Sequence, residues 1–383
     1  MRFLLLLFLF LAPNAFAQSE PELKSADLKK IAKPAGEWIT AQIEMDSEDA
    51  MKALEDLDEQ IDKLAKKLKT VDPLSLVADW QLAMNNQRKF ATSGKKIPKG
   101  KLADFDYGLA SFSVRLPKKY NPKKEDYPAV YLLGKEGKSL IDKLDQALLE
   151  EFVVFIPNIS SLSADLVFDM EAVSSVFATS SFGWQNYRLD RSRQFLIGAD
   201  DLGDVLAAQY LALMPHMFAG ASMTSDVVES VSGASNLALS FSNVESDLSK
   251  TLAWCTEQTA VSYSPLEFEA ELPWAQQGRV YWVQALNFEV PEDDTDKPLP
   301  KIKVSVDRAS NKITIDSADV TRVKLFLNDE IVNLDNPITV IRNGEEFSYQ
   351  VSRSVGNMLQ DYTISGAIYP AVIREVEMPV VEE

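Results

Sequence analysis

The sequence predicts an α/β layered domain, preceded by a helical region and followed by a small antiparallel β-sandwich module. Between about 101 and 290, short apolar runs alternate with helix-like stretches, an order typical of a layered α/β fold with right-handed crossovers. Before this region, apolar residues recur at helical spacing, and after about residue 300 they recur at every second position. With 383 residues, 46% of them hydrophobic, the chain is long enough for two or three domains.

Residues 1–17 have the pattern of a secretory signal peptide. Arg2 precedes an apolar run from Phe3 to Leu11, and Ala15-Phe16-Ala17 offers a small-residue cleavage site. We therefore expect cleavage near Ala17 and a secreted or periplasmic protein. The apolar run is too short for a permanent transmembrane helix, and no later segment is long and apolar enough, so no membrane span is expected.

Charge and cysteine usage limit the partners and the sources of stability. The formal net charge is −18, and removal of Arg2 with the signal makes it one unit more negative. Such a surface repels phosphate backbones, so we expect no nucleic-acid partner; the sequence indicates no cofactor. Cys255 is the only cysteine, so an exported chain would have no internal disulfide and would depend on its packed core.

The helical region is predicted over residues 18–100. Ser47 is a candidate N-cap for an amphipathic helix that ends near the lysines at 66–69, and a second helix is predicted from Asp72-Pro73. Together they predict a helical hairpin. The apolar stripe of the first helix is short, so packing on its own domain is favoured over a coiled coil with a partner. Residues 93–100 have the Gly/Pro pattern of a linker.

The α/β domain is predicted over residues 101–290 and the β module over residues 301–371. Short apolar runs at 129–133, 153–156 and 195–197 are typical of buried parallel strands. The acidic, proline-rich segment 291–300 is interpreted as a linker. Beyond it the apolar period is two, with a hairpin signal at Asn343-Gly344, and residues 372–383 are interpreted as a tail.

The central domain carries a series of motifs in a fixed order: LPKKYNP (116–122) with YPAVYLLG (127–134), FVVFIPN (152–158), YRLDRSRQFLIG (187–198) and PHMFAG (215–220). In order and spacing they resemble exported α/β-hydrolases of the esterase and prolyl-oligopeptidase-like type. The resemblance covers roughly residues 105–225, and the β module resembles, more weakly, a domain appended to such hydrolases in some environmental bacteria. The resemblance implies an α/β-hydrolase-like layered fold with a nucleophile at the turn after the predicted strand at 195–197.

At that turn the sequence departs from the family pattern. Active members carry G-x-S-x-G, in which the serine sits on a sharp, strained strand-to-helix turn. This chain has Gly198-Ala199-Asp200-Asp201-Leu202-Gly203, so Asp200 takes the serine position and Leu202 takes a position expected to be glycine. Gly198 and Gly203 are retained, and we expect the turn to persist without its function.

The other catalytic groups implied by the resemblance are also missing or altered. The oxyanion donors would be the backbone of Asp201 and of the loop 133–137, where the carboxylates of Asp200 and Asp201 oppose a developing negative charge. The family's histidine follows the acid near the end of the domain. The only histidine here is His216, on the helix after the turn, where we interpret it as a helix-end or surface residue. Asp247 is a candidate triad acid by chain order alone.

Three further features have a functional and a plain structural interpretation, and we favour the structural one each time. Asp200, Asp201 and Asp204 could ligate Ca²⁺ or Mg²⁺, but aspartates at a helix start more often cap it, so no metal is expected. Cys255, in an apolar context, is interpreted as a buried inert thiol. The aromatic segment 182–187 is interpreted as core rather than as the lining of a ligand cleft.

These losses together predict a non-catalytic hydrolase homologue that binds an unidentified ligand or protein partner. One alternative is an active esterase or peptidase with an unfamiliar site around Asp200. An aspartate nucleophile is used by related dehalogenases and epoxide hydrolases, but they need a histidine for the second half-reaction. A second alternative is an envelope-associated structural protein that uses the helical hairpin and the β module.

Overall fold

The computed structural model describes eleven stretches of the chain. They are residues 22–87, 99–108, 110–122, 126–159, 170–214, 217–223, 240–242, 248–258, 264–272, 279–291 and 298–379. The predicted signal (1–17), His216 and Asp247 lie outside the described residues, as do most of the predicted linker at 93–100 and the last four residues. No helix in the described part of the chain is long and apolar enough to cross a membrane.

Three helices precede the sheet: α1 (Ser25–Ile43), α2 (Ser47–Leu68) and α3 (Val77–Gln87), with a 3₁₀ turn at Pro73–Ser75. The unit therefore has one helix more than the predicted hairpin. Pro34 lies inside α1 and interrupts the pattern from which a helix is predicted. The apolar stripe of α2 packs within this chain, against α1 and the segment leading to α3.

The predicted start of α2 is one residue late. Asp46, rather than Ser47, is the N-cap, and its carboxylate accepts the backbone N–H bonds of Glu48 and Asp49. An aspartate at this position satisfies two of the four N–H groups that a helix leaves without an internal partner.

Seven strands form the central sheet in the order β1-β2-β4-β3-β5-β6-β7. They are β1 (Leu102–Tyr107), β2 (Ala110–Arg115), β3 (Tyr127–Leu133), β4 (Val153–Pro157), β5 (Leu189–Gly198), β6 (Gly220–Ser222) and β7 (Ser240–Ser242). β2 is antiparallel to both of its neighbours, β1 and β4, and the other described pairs of this sheet are parallel. This strand order, with one antiparallel strand near the edge, is the α/β-hydrolase arrangement, which confirms the predicted fold class.

Both faces of the sheet are covered. Helices α4 (Met170–Asn186) and α5 (Asp201–Leu213) pack on one face, where they contact Tyr131 and Leu133 of β3. Helix α6 (Leu248–Glu257) packs on the other face, together with 3₁₀ segments at Gly137–Lys143 and Leu148–Glu150. Because β3 is buried on both sides, its sequence is a continuous apolar run rather than an alternating one.

The β module consists of a four-stranded and a five-stranded sheet around one core. The first has the order β16-β13-β10-β9 and the second β15-β14-β12-β11-β8; β12 and β14 are parallel, and the other described pairs are antiparallel. The strands are β8 (Glu267–Glu271), β9 (Arg279–Val280), β10 (Val283–Phe288), β11 (Lys301–Asp307), β12 (Lys312–Ala318), β13 (Val320–Leu327), β14 (Ile338–Arg342), β15 (Glu345–Tyr349) and β16 (Ala371–Glu377).

Both predicted boundaries of this module differ from the structure. Strands β8, β9 and β10 belong to it, so the segment 291–300 connects two strands of the module instead of linking two domains. A loop within a domain and a linker between domains can both be acidic and proline-rich, so only the pairing of the flanking strands distinguishes them. Residues 371–377, mostly assigned to the tail, form β16, which pairs with β13 and contributes Ile373 and Val376 to the core.

A helix that was not predicted, α7 (Val355–Ser365), joins the module to the helical region. Its Met358, Leu359 and Tyr362 lie in the same buried cluster as α1, α2 and α3. Beside it, the buried Arg353 guanidinium pairs with Asp72, Asp329 and Asp335, and the hydrogen bond to Asp329 is the main reason that its pKa is raised.

Candidate functional site

The candidate site lies at the carboxyl ends of β3 and β5, where ligands bind in open α/β sheets. Leu133 of β3 is opposite Gly198 of β5, and the Leu133 carbonyl accepts the Ala199 N–H at 2.8 Å. The loop after β3 and the turn between β5 and α5 therefore lie side by side. These are the two segments that the resemblance assigns to the oxyanion hole and the nucleophile.

Asp200 connects these two segments through both oxygens of its carboxylate. Its Oδ1 accepts the backbone N–H of Gly203 at 2.9 Å, which makes Asp200 the N-cap of α5. Its Oδ2 accepts the backbone N–H of Lys135 at 2.6 Å, across 65 positions of sequence. The residue at the nucleophile position thus caps a helix and holds the loop after β3 against it.

The backbone at Asp200 is relaxed. Its φ of −160° and ψ of 176° are extended values that any residue adopts. A nucleophile elbow needs a sharp, strained turn to expose its side chain. Within the described residues, the non-glycine positions with positive φ all lie elsewhere in the chain.

The two retained glycines have packing reasons to be glycine. A Cβ on Gly203 would lie 2.1 Å from the Leu133 carbonyl oxygen, because α5 rests directly on the end of β3. A Cβ on Gly198 would lie 2.7 Å from the Asp204 backbone nitrogen. Both positions are determined by the close approach of helix and strand, and this requirement holds whether or not the turn carries a nucleophile.

The remaining residues of the turn point to different environments. Leu202, at the position expected to be glycine, is fully buried in the core between α5 and the sheet. Asp201 is exposed in the first turn of α5. The Lys135 N–H, a candidate oxyanion donor, is bonded to the Asp200 carboxylate, so an acyl oxygen would have to displace a negatively charged acceptor to reach it.

The interpretations of His216 as a helix-end or surface residue and of Asp247 as a candidate triad acid stay predictions, because both lie outside the described residues. The described residues that flank His216 are Met214, the C-cap of α5, and Met217. Met217 lies beside Gln194, in the middle of β5, and its carbonyl accepts a hydrogen bond from the Gln194 amide. Helix α5 has 13 residues, so its C-terminal end at Met214 is about 20 Å from Asp200.

The other sequence candidates lie in structural environments. Asp204 is buried beside Gly198, and the described residues contain no group of three or more side chains that could hold a metal ion. Cys255 is fully buried, and this burial raises the pKa of its thiol. Phe182, Trp184 and Tyr187 are buried in the core of the sheet domain.

The structure also contains a cleft at the amino end of β5 and thus at the opposite edge of the sheet from Asp200. Trp184 and Tyr187 line it, although segment 182–187 was interpreted as core rather than as a cleft lining. Trp184, Arg191 and Tyr362 are among its lining residues. They come from α4, β5 and α7, and since α7 was not predicted, no sequence signal connected them.

Replacing Asp200 with alanine tests its capping role. We expect Asp200→Ala to lower the free energy of unfolding by about 2 kcal/mol, because the N–H groups of Gly203 and Lys135 both lose their acceptor. Asp200→Asn should cost less, since its amide oxygen can still accept one of the two bonds. Urea unfolding followed by circular dichroism measures both changes.

Asp201→Ala is the matched control, since it removes a carboxylate from the same helical turn and leaves the cap hydrogen bond between Asp200 and Gly203 in place. We expect a smaller loss for this variant, from the helix dipole alone. Equal losses for the two alanine variants would contradict the bridging role of Asp200.

Comparisons with known proteins give only distant structural likenesses. No protein-family model matches the sequence, and no curated protein matches it significantly. A thermostable esterase is 13% identical, with a TM-score of 0.32, and the match covers 41% of this chain and 62% of the esterase. An S-formylglutathione hydrolase from Agrobacterium tumefaciens is 17% identical (TM-score 0.26; 36% of this chain, 63% of that one).

A third likeness is to the acylaminoacyl peptidase of Pyrococcus horikoshii, 12% identical with a TM-score of 0.25, covering 32% of this chain and 23% of the peptidase. This chain therefore spans less than two thirds of each of the three structures. Because all three TM-scores are below 0.5, the fold assignment rests on strand order and direction. By those criteria the central domain of this protein has an α/β-hydrolase-like fold.

Proposed function

We propose that this protein is an exported, non-catalytic α/β-hydrolase-like protein that acts by binding a ligand or a protein partner. The observation that carries the proposal is the hydrogen bonding of Asp200, whose two carboxylate oxygens each accept a backbone N–H. The binding surface would be the former catalytic cleft, the β module or both, and export rests on the signal-like pattern of residues 1–17.

The geometry at Asp200 disfavours nucleophilic catalysis. An attacking carboxylate oxygen would have to give up one of its two N–H bonds, and the relaxed backbone does not present the side chain as a strained elbow does. If Asp200 attacked a substrate, hydrolysis of the resulting ester would need a base to activate water. The only histidine of the chain, His216, follows α5, whose far end is about 20 Å from Asp200.

The loop after β3 supports the same conclusion. A stabilised tetrahedral intermediate needs N–H donors that are free to receive an oxyanion. Here the Lys135 N–H already donates to the Asp200 carboxylate, and the exposed Asp201 carboxylate adds negative charge at the start of the same helix. Loss of nucleophile, base and oxyanion donors together would leave at most the modest rate effect of binding alone.

The test is hydrolysis of p-nitrophenyl acetate and p-nitrophenyl butyrate by the purified mature protein. We expect the release of p-nitrophenol to equal the rate in buffer, both for the natural protein and for Asp200→Asn, because neither has an activated nucleophile. Turnover well above buffer that is lost in Asp200→Asn would contradict the proposal and favour a site around Asp200. Turnover that survives in Asp200→Asn would contradict it as well, and would place the reaction elsewhere in the chain.

A further inference from the structure

The cleft at the amino edge of the sheet has the composition of an anion site. We call it the arginine cleft; its polar and aromatic lining includes Asn85, Asp126, Trp184, Arg188, Arg191 and Tyr362. Its volume is about 10 Å³, the room needed by one water-sized group. It lies where three parts of the chain meet, namely α3, the start of β5 and α7.

Arg191 is the central group of the arginine cleft. Its side chain is 5% exposed and lies between two aromatic rings, with the guanidinium carbon 4.9 Å from the centre of the Trp184 ring and 5.1 Å from that of Tyr362. Its Nη1 donates to the Tyr362 carbonyl oxygen at 2.8 Å, at the end of α7. Gly366 follows α7, and a Cβ there would lie 2.5 Å from Arg191 Cδ. The guanidinium is therefore held in place from three sides.

One donor of this guanidinium has no acceptor. Arg191 Nη2 is buried and has no hydrogen-bond partner in the described part of the chain. Leaving a buried donor on a charged group without an acceptor costs more than it does for a neutral group. Asn85 also lines the cleft. Its side-chain oxygen already accepts a hydrogen bond from the Tyr362 hydroxyl at 2.9 Å, so its remaining side-chain group is the NH2, which is a donor. The carboxylate in the described lining, Asp126, is already bonded to Arg188.

Among the described residues, the charge of Arg191 has no negative partner. Arg188 forms an ion pair with Asp126, so its charge is compensated locally. No ion pair to Arg191 is present in the described ranges, and the acceptor that its guanidinium reaches there is the neutral carbonyl of Tyr362. The two arginines and one aspartate of the described lining leave a net charge of one positive unit.

We propose that the arginine cleft binds one small monovalent anion of about the size of chloride. Arg191 Nη2 donates to it, and it compensates the charge of this buried guanidinium. A water molecule would satisfy the hydrogen bond but leave the charge uncompensated. The small volume excludes polyatomic anions, whereas bromide is only slightly larger than chloride. Because Arg191 and its neighbours come from α3, β5 and α7, the anion stabilises the junction of the helical region, the sheet domain and the β module.

The first test compares thermal unfolding in sodium chloride and in sodium gluconate at equal ionic strength, because gluconate is too large for the cleft. We expect the midpoint to be higher in chloride by about 2 °C or more, since a ligand bound only by the folded state stabilises it. Arg191→Gln should abolish the difference. Arg193→Gln removes one positive charge from the same strand, outside the lining of the cleft, and should retain the difference.

An equal midpoint in both salts, or a chloride effect of the same size in Arg191→Gln, would overturn the proposal. A second measurement uses the natural protein and does not depend on the folding of a variant. Crystals soaked in sodium bromide should give an anomalous peak within hydrogen-bond distance of Arg191 Nη2. A water molecule at that position, or no peak there under saturating bromide, would also overturn it.

Discussion

Replacing Leu202 with glycine is expected to lower the free energy of unfolding by about 3 to 5 kcal/mol. The side chain is fully buried between α5 and the sheet, where truncation of a leucine removes its burial and leaves a cavity. Glycine within a helix adds a cost of about 1 kcal/mol relative to alanine. Urea unfolding of the variant and the natural protein measures the loss.

This substitution matters for function because it restores the family spacing of glycines around Asp200. If Leu202 alone had closed an active site, Leu202→Gly would open it, yet we expect no ester hydrolysis because Asp200 remains bonded to Lys135 and Gly203. Leu202→Met is the matched control and should cost less than about 1.5 kcal/mol, because it nearly conserves volume. A neutral Leu202→Gly, or one that gains esterase activity, would contradict this account.

Replacing Gly203 with alanine is expected to cost about 3 kcal/mol or more, although alanine is the better helix former. The added Cβ would lie 2.1 Å from the carbonyl oxygen of Leu133 and 2.7 Å from its carbonyl carbon. These are backbone atoms, so α5 or the end of β3 must shift, and such overpacking is costly. The shift would also disturb the bond from Lys135 to Asp200, because Lys135 follows Leu133 by two residues.

Gly356 provides the control for this prediction. It lies near the start of α7, and the nearest atom to an added Cβ is the Ser354 hydroxyl at 3.7 Å, which is ordinary contact. Gly356→Ala should therefore be neutral or slightly stabilising, as helix propensity alone predicts. Thermal unfolding of the two variants separates the effects; a similar midpoint for both would show that α5 does not approach β3 as closely as described.

The elements that sequence reasoning predicted well are those whose burial is periodic. The helix at 47–68 has a strong helical pattern, and the runs at 129–133, 153–156 and 195–197 are fully apolar; the structure has α2, β3, β4 and the second half of β5 at these positions. The elements that it missed have a weak or interrupted pattern. Pro34 interrupts α1, and α7 is short and packs against several partners at once.

The same distinction applies to the candidate site. Chain order and glycine spacing place Asp200 after a buried strand and before a helix, where the structure also has it. The bond from Lys135 to Asp200 joins residues 65 positions apart, and a local pattern carries no information about such a pair. Whether Asp200 was an exposed nucleophile or a bonded cap depended on that contact.

The sequence by itself determined the α/β class and the positions of the central strands, and it predicted Asp200 at the turn after β5, because burial patterns and motif spacing are local properties. Only the tertiary structure decided which groups meet. It joined strands 267–271 and 279–288 to the β module, bonded both oxygens of Asp200, and brought Asn85, Arg191 and Tyr362 to one cleft. The physical reason is that hydrogen bonds and buried charges are satisfied by whichever groups the packing brings within about 3 Å, regardless of their separation along the chain.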